Sequence, residues 1–460
     1  MKLEVFRKNN KMKQSILIGG IIVFLLIAGI LVYRSYAIYQ EKKEFDVMRG
    51  NVPDQNYDVQ LAFILEDELG NQQRLDTIPE GKNYTVSITC NDNSVKARWD
   101  YETWGANISH VTKSRTKCNI TFGPYKVLSK YGIFEDIISS GSGLYEVSHP
   151  ESEFVTSFSR DLTDDQINNL KQTEYRYAGA NPNNYVLFNN ELWRIIGLVN
   201  TPEGQRIKLI RNESIGEYSW DSSDSAVNVG NGVNEWSESD IMHLLNDGPY
   251  YNRSSGTCYN GQNNATTDCD IREIGLTDEA KEMIDTITWN IGSNDGEEYT
   301  YDNINTINFY NFERSNHTGK ICADGGGNGG ADCRDNVDRT TTWKGKVGFI
   351  YPSDYGYATS GGNTINRSIC LNIQAFSLPN SEDCYQNNWL YDDQLTQWSL
   401  TSLAHSLVSS RVFVVNFSGG VSYSIARVPR HLFPTLYLRS DVKIVDGEGT
   451  MDIPYLLSVN

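Results

Sequence analysis

A chain of 460 residues with a formal net charge of −18 has room for two or three domains and is acidic enough to repel phosphate backbones. The first fourteen residues are themselves basic, at +4, so the remainder carries −22, which argues against nucleic acid and anionic lipid as partners of that remainder. Hydrophobic residues at 39%, with 27 Tyr, 16 Phe and 9 Trp, suit packed cores and exclude a disordered chain.

Ile16 to Tyr33 reads ILIGGIIVFLLIAGILVY, eighteen residues without a charge. A helix needs about 20 mostly apolar residues to cross a bilayer core, so residues 15–33 are read as a single transmembrane helix. Lys2, Arg7, Lys8, Lys11 and Lys13 precede it against the lone acid Glu4. That bias keeps residues 1–14 cytoplasmic and puts everything from about residue 34 outside the cell membrane. A cleaved signal peptide, with Ser35 and Ala37 at its cleavage site, is the competing reading. Signal h-regions run only about 7–15 residues, which favours a retained signal-anchor.

Residues 34–56, with Glu41, Lys42, Lys43 and Glu44, read as a charged stalk, or equally as a continuation of the membrane helix. Residues 57–124 read as a small all-β domain. Tyr57, Val59, Leu61, Phe63 and Leu65 alternate, Gly70-Asn71 supplies a turn, and alternation resumes over Tyr84–Cys90, Val95–Tyr101 and Cys118–Phe122. Cys90 and Cys118 fall on apolar faces and are placed to meet across a core beside Trp99. That is the Cys…Trp…Cys arrangement of an immunoglobulin-like sandwich, at a shorter spacing than in antibody domains. The module serves as a spacer in this reading, with adhesion as the alternative.

Residues 125–174 read as a linker with short helices, one over Val127–Ile138 and one from Asp161 or Thr163 to Leu170. Residues 175–460 read as one large α+β domain. A hairpin spans Tyr185–Phe188 and Leu192–Val199 around Asn189-Asn190, and Pro202-Glu-Gly204 turns the chain into Arg206–Arg211. Helices start after Ser237 (through Leu245) and Thr277 (through Ile287). A strand is expected over Lys346–Tyr351, a hairpin joins Val412–Phe417 to Val421–Ile425, and Pro434–Leu438 closes the domain.

All eight cysteines lie beyond the membrane segment. In chain order they form the intervals Cys90/Cys118, Cys258/Cys269, Cys322/Cys333 and Cys370/Cys384. An even number in an exported chain implies disulfides, although eight cysteines permit 105 connectivities and spacing alone does not choose among them. A zinc site would need C-x2-4-C or H-x3-5-H, and neither occurs.

The stretches TEYRYAGANPNNYVLFNNELWRIIGLVNTPEGQRIKLIRNESIGEYSWDSS, WKGKVGFIYPSDYGYAT and PTLYLRSDVKIVDGEGT resemble a family of uncharacterised surface proteins of Gram-positive, gut-type bacteria. The resemblance covers most of residues 85–460 and implies an address without a mechanism. The family's usual V-R-P-A-L-Y-L-K is here Leu432-Phe433-Pro434-Thr435-Leu436-Tyr437-Leu438-Arg439, with Phe433 in place of the arginine. The order Trp398-Ser-Leu400, the Gly419-Gly420 hairpin and Pro434 is distantly similar to the C-type-lectin and sulfatase-modifying-factor superfold, which implies a lectin-like character for the large domain. Ile16–Tyr33 lacks the prepilin G-F-T-L-I-E pattern, which speaks against a pilin.

No constellation for catalysis stands out. There is no G-x-S-x-G, and Ser440-Asp-Val-Lys443 matches S-x-x-K without its companion motifs. The six histidines are scattered singly. A calcium ion among Asp324, Asp332 and Asp335 competes with the simpler reading of Gly325–Gly330 as a loop pinned by Cys322 and Cys333, and no metal or other cofactor is assigned. Among 58 acids no spacing selects a glycosidase pair. Aromatics in loops are better placed to bind, and Tyr355, Tyr357, Trp389 and Trp398 are the candidates, with Tyr351 beside them. The expectation is a cell-surface binding or adhesion protein for an extracellular glycan or protein ligand. An envelope enzyme using carboxylates, or a structural subunit of a surface assembly, are the alternatives.

Overall fold

The computed structural model describes residues 48–51, 58–67, 69–80, 84–100, 103–111, 115–124, 128–149, 158–223, 231–261, 265–293, 304–316, 340–403 and 410–459. The segment 15–33 expected to cross the membrane, most of the expected stalk, and Cys322 and Cys333 with the glycine-rich sequence between them lie outside these residues. Among the described residues no helix is long and apolar enough to cross a membrane. The chain divides into two compact units, one up to Tyr125 and one from Lys126.

The first unit is all β: β1 (Met48–Asn51), β2 (Asp58–Glu66), β3 (Gln72–Leu75), β4 (Tyr84–Cys90), β5 (Lys96–Asp100), β6 (Gly105–Ser109) and β7 (Thr116–Pro124). One sheet runs β1-β2-β7-β4, with β3 also on β2, and β5–β6 form a separate ribbon. The period-two expectation holds because each strand has one packed face: Phe63, Val86, Ile120 and Phe122 are buried together with Trp99 from the ribbon. Trp99 meets Phe122 edge-on at 5.2 Å between ring centroids. Gly70 takes φ +79° in the β2–β3 turn, where its N–H bonds back to the Asp67 carbonyl.

Two expectations for this unit are corrected. Part of the presumed stalk is a strand, since β1 pairs antiparallel with β2 from Met48↔Leu61 to Asn51↔Asp58. Cys90 and Cys118 are bonded, but they face each other across adjacent strands, at register positions Cys90↔Cys118 of β4 and β7. An immunoglobulin-like bridge joins two facing sheets. Here the bond staples one ladder, and Trp99 packs on the sheet rather than between bridged layers.

The second unit begins with β8 (Gly143–Val147), α1 (Asp164–Leu170), β9 (Glu174–Ala178), β10 (Tyr185–Phe188), β11 (Glu191–Thr201), β12 (Gly204–Arg211) and β13 (Glu217–Tyr218). It continues through α2 (Asp240–Asn246), α3 (Pro249–Asn252), β14 (Ser255–Tyr259), β15 (Thr266–Asp270), α4 (Asp278–Met283), β16 (Ile287–Asn290), α5 (Thr306–Glu313), β17 (Thr342–Gly345) and β18 (Val347–Gly348). Then come α6 (Pro352–Tyr357), α7 (Arg367–Asn372), α8 (Glu382–Gln386), β19 (Gln397–Ser402), β20 (Arg411–Val415), β21 (Val421–Ile425), β22 (Arg430–His431), β23 (Thr435–Tyr437), β24 (Val442–Asp446) and β25 (Tyr455–Val459). A nine-stranded sheet runs β18-β23-β12-β11-β10-β25-β24, with β9 on β11 and β8 on β9, and a five-stranded sheet runs β13-β22-β19-β20-β21. The α+β class is as expected.

The stretch read as a linker is part of this unit. Of the helix expected over Val127–Ile138, residues 128–138 are described and do not form it. Only Ser129–Tyr131 coils, as a single 3-10 turn, and Ile137 bridges to Leu144. β8 then joins the large sheet. The second short helix is correct, with Thr163 at its N-cap in a reciprocal capping box with Gln166. Asn189 and Asn190, both at positive φ (55° and 61°), turn β10 into β11 as a two-residue hairpin demands.

β11 and β12 are covered on both faces, which explains their nearly continuous apolar run. Ile195 and Leu209 enter one core with Trp193, Leu198, Trp289 and Leu436, whereas Ile196 and Ile210 enter a second with Phe309, Phe413 and Val415. At the bulge between Ile195 and Gly197 a side chain is excluded: a Cβ on Gly197 would sit 2.2 Å from the Tyr175 carbonyl oxygen. That glycine lets β9 close on β11 and seats Arg176 directly opposite it.

Candidate functional site

Charged side chains collect in two places on the second unit. The first is sealed. Arg176 of β9, Lys208 of β12 and Arg314 after α5 are buried with Glu174, Glu313 and Asp354. Asp354, in the first turn of α6, accepts from Arg176 Nη1 and from Lys208 Nζ at 2.6 Å each, and from the Tyr351 backbone N–H at 2.8 Å. Burial opposes its ionisation, but Lys208 and Arg176 hold the carboxyl below its usual range. Glu174 accepts from Arg176 Nε at 2.6 Å and from the Asn200 N–H at 2.7 Å. It too is held low against burial, by Arg176 and His149. His149 stacks on Tyr310 at 3.7 Å with Nε2 3.2 Å from Glu174; burial pushes its pKa down, with Glu174 acting against the shift. Glu313 behaves oppositely: burial outweighs Arg314 and the Ser353 hydrogen bonds and raises it to about 7. These groups pair with one another and form a polar core with α5 and α6, although Arg314 Nε has no hydrogen-bond partner among the described residues.

The second place is open. Lys208, Ile210 and Arg194 share one face of the large sheet, because Arg194 lies opposite Ile210 in the β11–β12 ladder. Past Ile210 this face ends in a cleft of about 270 Å³. Arg194 and Arg211 come from the large sheet, Gln397 from the start of β19 in the other sheet, Trp389, Leu390 and Tyr391 from the segment after α8, and Phe433 from the approach to β23. Asn212, Glu213, Asp392 and Leu395 complete the lining.

Each wall is held from behind. The Cys370–Cys384 bond ties α7 to α8 just before the aromatic segment. Asn388 donates to the Tyr355 carbonyl at 2.7 Å, and Trp389 Nε1 to the Tyr177 carbonyl at 2.9 Å. Asp392 Oδ1 caps the following turn, accepting from Gln394 and Leu395. Arg194 lies between two rings, its guanidinium 4.2 Å from the Tyr185 centroid and 4.5 Å from Trp389. Desolvation lowers its pKa to about 10, with Tyr185 acting against the shift. Arg211 makes a two-pronged pair with Glu191, at 2.8 and 2.6 Å.

Of the four aromatic candidates only Trp389 lines this cleft. Tyr355 is wholly buried, with its hydroxyl donating to the Gly419 carbonyl at 2.8 Å. Tyr357 is buried against His149, 5.2 Å from the Arg176 guanidinium. Trp398 is buried beside Trp220, its indole N–H given to the Tyr218 carbonyl at 3.0 Å. Tyr351 caps α6 inside the ionic core. These four have no free ring face, so their loop-like sequence context misplaces them; the chain between strands is itself packed. Arg194 and Gln397 escaped the sequence reading. The available signal was a single cation inside the apolar run Trp193-Arg-Ile-Ile-Gly197. Phe433 belongs to the same cleft.

Cys258–Cys269 and Cys370–Cys384 are bonded as nearest neighbours, as is Cys90–Cys118, while Cys322 and Cys333 lie outside the described residues. A second cavity of about 170 Å³, beside the Cys258–Cys269 ribbon, is lined by Tyr218, Asp240, His243, Pro249 and Tyr259. Its carboxylate, Asp240, is engaged by the N–H and hydroxyl of Ser222. Among the described residues no three His, Cys, Asp or Glu side chains form a metal site. Compared with known proteins, the chain matches no family model, no curated protein and no solved structure.

Proposed function

We propose that this is an N-terminally anchored bacterial surface protein whose second unit binds an extracellular glycan in the Arg194–Trp389 cleft. The observation that carries the reading is the lining itself. Trp389, Tyr391 and Phe433 supply ring surfaces, and Arg194, Gln397 and Asn212 supply hydrogen-bonding groups, within one concavity at the meeting of two sheets. Ligand sites combine apolar walls with a few placed polar groups in this way. A sugar ring presents a C–H face and a hydroxyl edge to match. At about 270 Å³ the cleft lies near the lower end of small-molecule sites, ~300 Å³, and suits one ring rather than a chain.

A carboxylate-dependent hydrolase is the rival reading and calls for a desolvated acid facing the ligand. The carboxyls raised by burial, Glu313 and Asp221, do not line this cleft. Binding is therefore the better-supported function, and the distant lectin-like resemblance agrees with it at the level of analogy. Glycan-array binding by the purified chain, repeated with Trp389→Ala and Tyr391→Ala, tests it. Saturable binding that both variants weaken is the expected result. Binding indifferent to both, or binding to no glycan at all, would overturn the assignment.

A further inference from the structure

Two side chains in this cleft have unmet demands of opposite kind. Arg194 is 8% exposed, yet among the described residues no carboxylate lies within ion-pair distance of it. Its Nε donates to Asn184 Oδ1 at 2.8 Å, and Nη2 reaches the Pro182 carbonyl and Asn181 Oδ1 only at 3.4 and 3.5 Å. Nη1 donates to no acceptor among the described residues. Arg211, in the same cleft, shows the contrast, with its charge met by both oxygens of Glu191. Gln397 is 6% exposed; its Nε2 is tied to the Leu390 carbonyl at 3.3 Å, which leaves Oε1 buried with no donor among the described residues. A buried cation without a counter-charge and a buried acceptor without a donor are each costly. The Tyr185 and Trp389 rings fix the guanidinium plane, so the fork is already oriented.

We infer that the cleft receives an acidic sugar, whose carboxylate pairs with Arg194 while a hydroxyl of the same ring donates to Gln397 Oε1. This rests on the glycan-binding reading of the cleft and makes it specific. A planar carboxylate matches the guanidinium edge with two parallel hydrogen bonds. A neutral sugar offers hydroxyl acceptors to Arg194 but leaves the charge unmet. The protein is acidic overall, at −18, so a lone receptive cation selects against anions that lack close geometry and does not gather them at long range. A sulfate ester shares the negative charge and is separated from a carboxylate by the test.

The test is calorimetric titration of the full chain with glucuronic acid, N-acetylneuraminic acid, glucose and glucose 6-sulfate, on wild type, Arg194→Met and Gln397→Glu. Loss of one charge-assisted pair corresponds to an affinity drop of about 10- to 100-fold. The acidic sugars are expected to bind, glucose at least about 10-fold more weakly, and Arg194→Met to abolish the difference. Gln397→Glu places a negative charge in the same cleft, where it repels an acidic ligand, and is expected to weaken acidic sugars by a similar factor. It keeps the side-chain shape and so decides the matter if Arg194→Met does not fold. Equal binding of glucose and glucuronic acid, unaffected by either variant, would overturn the acidic-sugar inference and leave the glycan cleft standing. Binding of the sulfate ester alone would also overturn it. Failure of all four ligands, together with a blank array, would remove both readings.

Discussion

Asp354 neutralises two cations at once, Arg176 and Lys208, with both contacts at 2.6 Å and all three side chains sealed from water. Removing one partner of a buried pair leaves an uncompensated charge, which costs about 3–5 kcal/mol. Asp354→Asn is expected to lower unfolding free energy by that order in urea titration; a loss below about 1 kcal/mol would show the centre to be wet. The pH dependence separates the acids by sign. Asp354 and Glu174 are held low, so their contribution is present above the usual carboxylate range and is lost as pH falls through it. Glu313 is raised from 4.5 to about 7, so its contribution is complete below about 4.5 and declines as pH rises toward 7. Urea midpoints measured at pH 4.5 and 7.5 should therefore fall across that interval in wild type and fall less in Glu313→Gln. None of this was legible beforehand. Glu174, Arg176 and Lys208 lie 146 to 180 positions before Asp354 and alternate with apolar residues in their strands, and nothing local says that they converge. The cleft was legible at one residue, Trp389, because an aromatic side chain in a loop is only a site when the loop itself is not packed over.

At the level of elements, local chemistry was the reliable guide. Thr163 with Gln166, and Asn189-Asn190, act through neighbours within four positions, and both features formed where the residues indicated. Thr163→Ala should cost about 1 kcal/mol through the lost cap, measurable as a lowered melting temperature. Alternation located the strands of the first unit because one face is wet. It failed for β9 and β19, whose residues are all buried, so polar and apolar side chains both point into protein. The Cys370–Cys384 bond closes a segment of 14 positions ahead of Trp389. Replacing both cysteines with serine should destabilise the protein by about 3 kcal/mol and weaken glycan binding more than Cys258→Ser/Cys269→Ser does. Equal effects of the two pairs on binding would show that the aromatic wall does not depend on its nearby staple.

For the whole molecule, length suggested two or three domains where the chain divides into two compact units, and strands at both ends of the larger one anticipated α+β. The boundary was placed late, near residue 175, because residues 125–174 look weak as isolated sequence. Leu128, Ile133, Leu144, Val147 and Leu170 are nonetheless buried, and β8 belongs to the nine-stranded sheet. A strand of five residues gains its stability from partners that lie elsewhere in the chain, so its own pattern is a faint signal. Residues 126–460 produced alone should fold, with native near-ultraviolet circular dichroism, while a fragment starting at 175 should lose the β8–β9 pairing and melt lower.

β25 lies between β10 and β24, paired in parallel with β10 at Val186↔Tyr455 and Leu187↔Leu456. The large sheet is thus completed only when segments some 270 positions apart meet. Contacts of that sequence range are slow to form, since a long loop must close before they contribute. During synthesis, β10 would therefore emerge long before its partner and wait with an open backbone edge, a template for pairing with the wrong chain. The emergence of the chain, more than the finished fold, is where this protein is most exposed to aggregation. A chaperone that covers β10 until Tyr455 arrives would matter more to its yield than any stabilising substitution in the core.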